Sequence, residues 1–122
     1  MSSNQLSAVD QNVMAMLLEE RYATLRVEVR DIYEECDAKA LVKQSNIETI
    51  EGLQRRVNFF NKKKVQYQID LLKQENDEIE AFIASIGDKL SPLADEMEDI
   101  ESKIGDRLSL LYGKDYHWWV RR

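Results

Sequence analysis

Cys36 and His117 belong to the residue types that most often act as nucleophiles, general bases or metal ligands. The chain of 122 residues has one of each. A zinc site needs four ligands, or three and a water, at definite spacing, and adding Asp115 does not complete such a set. Cys36 falls on an apolar heptad position, where a small buried hydrophobic side chain is the expected role. We therefore predict no catalytic residue, no metal site and no cofactor.

Acidic residues and glycines are the other groups from which a site could be built. The chain has 23 Asp and Glu residues and 4 glycines. At this density, carboxylates on outward helix positions indicate a solvated face and not paired acid–base catalysis. The glycines form no phosphate-binding loop. The sequence thus predicts a protein that is not an enzyme.

A basic cluster with aromatic residues inside it, RRVNFFNKKK, spans residues 55–64. Such a cluster can contact the phosphates of a nucleic acid or of an anionic lipid. The alternative is a solvated helical face that pairs with acidic partners, with Phe59 and Phe60 packed in a core. The formal net charge of −6 argues against nucleic acid as the main ligand. The candidate anion contacts are Arg55, Arg56, Lys62, Lys63 and Lys64.

The C-terminal segment DYHWWVRR contains both tryptophans of the chain. Trp, Tyr and Arg are the residue types that dominate the energetics of protein interfaces. Three interpretations stay open: the segment docks on a partner protein, folds back to cap the end of a helical bundle, or inserts at a membrane interface. The candidate docking residues are Tyr116, Trp118, Trp119, Arg121 and Arg122.

Composition indicates the elements that must carry these residues. Charged residues make up 33% of the chain, and it has 4 glycines and 1 proline. This composition is typical of long helices, and the fold class we predict is all-α, an elongated coiled coil or helical bundle with a short aromatic tail. Helix start and stop signals at Ser45, Ser91-Pro92 and Gly113 divide the chain into helices at about 7–43, 46–86 and 91–112. The corresponding domains are 1–44, 45–112, kinked or broken at 87–92, and 113–122.

Apolar residues alternate spacings of four and three, which is the pattern of a coiled-coil seam. The second part of the seam keeps one register past Gly87 and Pro92, which favours a near-continuous helix over a break. The register slips at residues 61–64, where a change of partner or local unwinding is expected. The predicted oligomer seam consists of Leu18, Tyr22, Leu25, Val29, Ile32, Cys36, Val65, Ile69, Leu72, Asn76, Ile79, Ile83, Ile86, Leu90, Leu93, Met97, Ile100 and Ile104.

Charge and polarity along the seam bear on the partner. Asn76 is a lone polar residue at an a position, which can fix register and favour a dimer, whereas Ile at a and d favours three or four strands. Residues 55–73 carry a net charge of +5 and residues 74–106 a net charge of −9. A parallel homodimer would place the acidic block beside its own copy. We therefore expect protein partners, in a hetero-oligomer or in antiparallel self-association.

These observations predict a non-enzymatic structural or adaptor subunit that assembles through coiled-coil helices. The alternative is a peripheral binder of anionic membrane or nucleic acid, working through residues 55–64 and the Trp/Arg tail. Nucleic acid is disfavoured by the acidic charge, and membrane contact is possible but not favoured. Neither a signal peptide nor an apolar run of membrane-spanning length is evident, so we expect a cytoplasmic or nuclear protein.

Overall fold

Two long helices make up a computed structural model that describes residues 8–114 and 116. Helix α1 spans Ala8–Arg56 and helix α2 spans Lys62–Tyr112. The described residues contain no strand, so the all-α prediction is confirmed. The expected helix boundary at Ser45 is wrong, because Ser45 lies inside α1, whereas the near-continuous helix favoured past Gly87 and Pro92 is confirmed, because both lie inside α2.

Helix α1 continues through Ser45 because the residues of the apparent cap form other bonds. The hydroxyl of Thr49 donates to the carbonyl oxygen of Ser45 at 2.9 Å, a bond available to a hydroxyl in the helix interior. The neighbouring Asn46 is buried, and its amide nitrogen donates to side chains of α2. A polar sequence that resembles a helix start is therefore used for contact between helices.

The chain reverses at residues 57–61, just before most of the predicted register slip at 61–64. Asn58 Oδ1 accepts hydrogen bonds from the backbone N–H groups of Phe60 and Asn61, at 2.9 and 3.1 Å. Asn61 returns the interaction, since its Oδ1 accepts from the Asn58 N–H at 2.7 Å and its Nδ2 donates to the Arg56 carbonyl at 3.2 Å. The two asparagines thus satisfy backbone groups that the ending and starting helices leave open.

Helix α2 passes through Gly87 and Pro92 without a break. Pro92 lacks the N–H that would bond to the carbonyl of Asp88, but both residues are exposed, so water can reach that carbonyl. Buried Ile86 and Met97 stand on either side of this stretch. The helical backbone angles are interrupted instead at Ile104, with φ −133° and ψ 29°.

The end of α2 agrees with the predicted stop at Gly113. Gly113 has φ 84°, in the left-handed region that favours glycine, and its N–H donates to the carbonyl of Ser109 at 2.8 Å. The helix ends at Tyr112, as the sequence predicts. Gly113 and Lys114 therefore do not continue the helix.

The chain divides into two compact units, each an antiparallel pairing of one part of α1 with one part of α2. Of the described residues, the terminal unit contains 8–31, 88–114 and 116, and the turn unit contains 32–87. The fully buried side chains of the terminal unit are Tyr22, Leu25, Val29, Met97, Ile100 and Leu108. The turn unit has a core of Ile50, Val65 and Ile69, against which Leu53 and Leu72 pack.

Candidate functional site

The predicted seam residues line the contact between the two helices within each unit. Eleven of the eighteen are buried, namely Tyr22, Leu25, Val29, Val65, Ile69, Asn76, Ile79, Ile86, Met97, Ile100 and Ile104. Ile83 is 39% exposed. The remaining members are half-buried: Leu18, Ile32, Cys36, Leu72, Leu90 and Leu93. The two helices of the chain therefore cover most of this seam on each other, and its role between chains stays a prediction.

A buried pair of asparagines interrupts the apolar contact in the turn unit. Asn46 and Asn76 are each 8% exposed, and Asn46 Nδ2 donates to Asn76 Oδ1 at 2.9 Å. Asn46 Nδ2 also donates to Glu75 Oε1 at 2.6 Å. Sequence reasoning identified Asn76 and missed Asn46, which looked like part of a helix cap. The pair lets polar groups meet in one alignment of α1 and α2, so it fixes their register within this unit.

Aromatic side chains pack together in the terminal unit where α2 ends. The rings of Tyr22 and Tyr112 lie 6.1 Å apart, and the Tyr116 ring meets Tyr22 edge-on at 6.5 Å. The Arg26 guanidinium lies over the Tyr112 ring at 4.1 Å and donates to the Tyr116 carbonyl. A Cβ added to Gly105 would lie 3.3 Å from the Tyr116 hydroxyl. Tyr116 thus packs on its own unit, while the predicted docking residues Trp118, Trp119, Arg121 and Arg122 lie outside the described residues.

Ion pairs join the helices along both units. Arg21 and Glu96 form two hydrogen bonds, of 2.6 and 2.8 Å. The hydrogen bond with Arg21 lowers the pKa of the Glu96 carboxyl, and the same bond raises the pKa of Arg21. Arg107 pairs with Glu19. In the turn unit Lys43 lies 2.7 Å from Glu80. Since these groups are partly exposed to solvent, the pairs orient the helices more than they stabilise them.

A second apolar stripe lies on α1, on the side away from α2. We call Val9, Val13, Met16, Leu17 and Val27 the outer stripe. All five side chains are exposed, Val9 at 71% and Leu17 at 59%. The inward residues of the same stretch, Tyr22, Leu25 and Val29, are buried. Part of the signal was present in the sequence, because Val9, Val13, Met16 and Val27 follow steps of four and three through positions 20 and 23.

The candidate anion contacts lie together at the reversal of the chain, which we call the tip, residues 55–64. All five basic side chains are exposed, and Arg55 is within 3.9 Å of Glu51. Phe59 and Phe60 are 91% and 96% exposed, with their rings 5.7 Å apart. The alternative in which these two rings pack in a core is wrong, because both are exposed in the turn between the helices.

A groove of about 660 Å³ lies in the terminal unit. Met14 and Leu18 of α1 line it on one side, and residues 101–107 of α2 line it on the other. It is open to solvent along its length. Polar side chains such as Lys103 and Asp106 contribute much of its wall. It lacks the enclosed apolar shape that a small-molecule site requires.

Metal-ligand clusters and membrane-spanning stretches are both absent from residues 8–114 and 116. No three side chains of the His, Cys, Asp and Glu types gather there as metal ligands would. Cys36 is half-buried, and His117 and Asp115 lie outside the described part of the chain. Neither α1 nor α2 has a stretch apolar enough to cross a bilayer.

Comparison of the chain with protein-family models, with curated proteins and with solved structures finds no match.

Proposed function

We propose that the chain is a non-enzymatic structural or adaptor subunit that assembles with protein partners through its helices, first of all with a second copy in antiparallel contact. The observation that carries this proposal is the outer stripe. A helix that packs on one neighbour needs one apolar face, and its other face is normally polar. In the terminal unit α1 has two apolar faces, and α2 covers one of them.

The spacing of the outer stripe fits a partner helix better than it fits a small ligand. Four of its five residues, Val9, Val13, Met16 and Val27, lie on one row of steps of four and three, whose other two positions are Glu20 and Ala23, and Leu17 lies beside this row, four positions after Val13. Such a row presents knobs to the holes of a facing helix. Exposed apolar rows of this kind on soluble proteins commonly mark protein interaction sites. Helix α1 thus supports a contact in which the terminal unit joins a larger bundle.

Glu20 supports an antiparallel arrangement of two copies. It is exposed and occupies the middle of the row, between Met16 and Ala23. A parallel pair in register would set Glu20 opposite its own copy, and like charges at facing positions oppose association. In an antiparallel pair that aligns Val9 with Val27, Glu20 faces Met16 of the other copy.

The packing of the terminal unit supports a preformed binding face. Tyr22 and Leu25 are fully buried against α2, so their inward position turns Val13 and Leu17 outward. The Arg21–Glu96 and Arg107–Glu19 pairs hold α1 to α2 on this same stretch. A face that is fixed before binding loses less conformational entropy when the partner arrives.

The double substitution Val13→Asp/Leu17→Asp tests this function. It places two charges in the outer stripe without touching the buried face, so we expect helicity to be retained. Association should weaken by about 2 kcal/mol or more, a factor of about 30 in the dissociation constant. Light scattering coupled to size-exclusion chromatography, over a range of concentrations, gives the mass.

The matched control is Ala40→Asp/Gln44→Asp. These residues are exposed on the same helix, have the same spacing and add the same charge, but they lie outside the outer stripe. The control should associate as the wild-type chain does. Equal association of the Val13→Asp/Leu17→Asp variant and the wild-type chain would refute the role of the outer stripe.

A further inference from the structure

Phe59 and Phe60 at the tip are the most exposed large apolar side chains among the described residues. Together with Val57 they form three apolar residues in a turn of five, and Val57 is also exposed. The rings pack edge to face on each other, at an interplanar angle of 86°. Two adjacent phenylalanines left in water are unfavourable unless another surface covers them.

The turn that carries the rings is held by its own hydrogen bonds. Asn58 and Asn61 exchange side-chain to backbone bonds across the turn, and Asn61 also bonds to the end of α1. The Asn61 carbonyl accepts the first bond of α2, from the Val65 N–H at 2.9 Å. Below the turn, Val65 packs with Ile50 in the core of the unit. The rings are therefore presented on a fixed base, and ordering them on a surface costs little entropy.

Basic residues surround the rings on both helices. Residues 55–64 contain five Lys and Arg side chains and no acidic residue. Within the part of the chain that the structure describes, the side chains of Lys62, Lys63 and Lys64 form no ion pair or hydrogen bond. Arg55 has a long contact to Glu51 and is otherwise exposed. The tip thus carries two exposed aromatic side chains and five exposed basic side chains.

We propose that the tip docks on an anionic lipid bilayer, with Phe59 and Phe60 entering the headgroup region and the basic side chains contacting lipid phosphates and carboxylates. Aromatic rings are favoured at the bilayer interface, and each Lys or Arg near an anionic surface adds attraction. The rings and the basic side chains are all exposed at the same reversal of the chain, so a single anionic surface can contact both.

Two other targets, single-stranded nucleic acid and a protein surface, fit the tip less well. Single-stranded nucleic acid stacks successive bases on aromatic faces, and rings at 86° do not offer two parallel faces. Protein interfaces are depleted in lysine, whereas three consecutive lysines follow this turn. The inference does not depend on self-association through the outer stripe, which involves different residues.

Vesicle co-sedimentation of the full chain tests the proposal. The wild-type chain should bind vesicles of phosphatidylcholine and phosphatidylserine at low salt, and bind vesicles of phosphatidylcholine alone much less. Phe59→Ser/Phe60→Ser should weaken binding by about tenfold or more, because the buried apolar area is lost. Lys62→Gln/Lys63→Gln/Lys64→Gln should weaken it by about fivefold per lysine.

The control is Leu110→Ser/Leu111→Ser, which removes two other exposed apolar side chains that lie in the terminal unit and outside the tip. It should bind as the wild-type chain does, and circular dichroism should show equal helicity for all variants. The proposal is overturned if the wild-type chain does not bind the anionic vesicles, or if Phe59→Ser/Phe60→Ser binds unchanged. Tighter binding of polyuridine than of vesicles, with the same dependence on the phenylalanines, would also overturn it in favour of nucleic acid.

Discussion

Leu25→Ala is expected to lower the free energy of unfolding by about 2–5 kcal/mol, the range for a leucine removed from a close-packed core. Leu25 is 0% exposed, beside Tyr22 and Val29 on the inward face of α1. Native proteins have total stabilities of about 5–15 kcal/mol, so this loss is a large part of the whole. Urea unfolding followed by circular dichroism measures it.

Leu110→Ala is the control for this substitution. It removes the same atoms from the same unit, but Leu110 is 89% exposed, so the effect should stay within about 0.5 kcal/mol. Equal effects of the two substitutions would mean that the inward face of α1 is assigned wrongly. The outer stripe would then be wrong as well, since it is defined as the face opposite to Leu25.

Substitution of the Asn46–Asn76 pair should affect stability differently from substitution in an apolar contact, because replacing one member should cost more stability than replacing both. Asn46→Leu leaves the Asn76 carboxamide oxygen buried without its donor, and we expect a loss of about 1–3 kcal/mol. Asn46→Leu/Asn76→Leu replaces both polar groups by side chains that pack, and it should recover the wild-type stability or exceed it. Urea unfolding of Asn46→Leu, of Asn76→Leu and of the double variant gives the coupling energy between the two sites.

The double variant should also lose uniqueness, because an uninterrupted apolar seam tolerates shifted alignments of the two helices. Broadened amide signals in a heteronuclear spectrum would report this. If the double variant is as unstable as the sum of the two single losses, the two side chains do not act as a pair. The register of the turn unit would then depend on its apolar residues alone.

The heptad pattern predicted which residues are inward, and it could not name what covers them. A row such as Val65, Ile69 and Leu72 has the same spacing whether it meets another chain or another part of its own. What decides is where the chain reverses, and that depends on Asn58 and Asn61, whose side-chain bonds form a turn that periodicity does not reveal. The register slip at 61–64 was the visible trace of that turn.

Helix start and stop signals predicted a boundary correctly where backbone conformation determines it, and wrongly where contacts between the helices determine it. Gly113 ended α2 as predicted, because the left-handed conformation needed there favours glycine. Ser45 failed as a start signal because Asn46 and Thr49 found other partners in the folded chain. The outer stripe was not predicted, because the seam pattern identifies one apolar face of α1, and Val9, Val13 and Met16 belong to a second.

Sedimentation equilibrium of the pure chain, at low and high salt and with circular dichroism on the same sample, tests the central claim most directly. The account predicts a helical protein whose mass rises with concentration above that of one chain, in the micromolar range. Because the contact is apolar, association should persist when salt screens the surface charges. A fully helical protein with the mass of a single chain at every concentration would contradict self-association through the outer stripe.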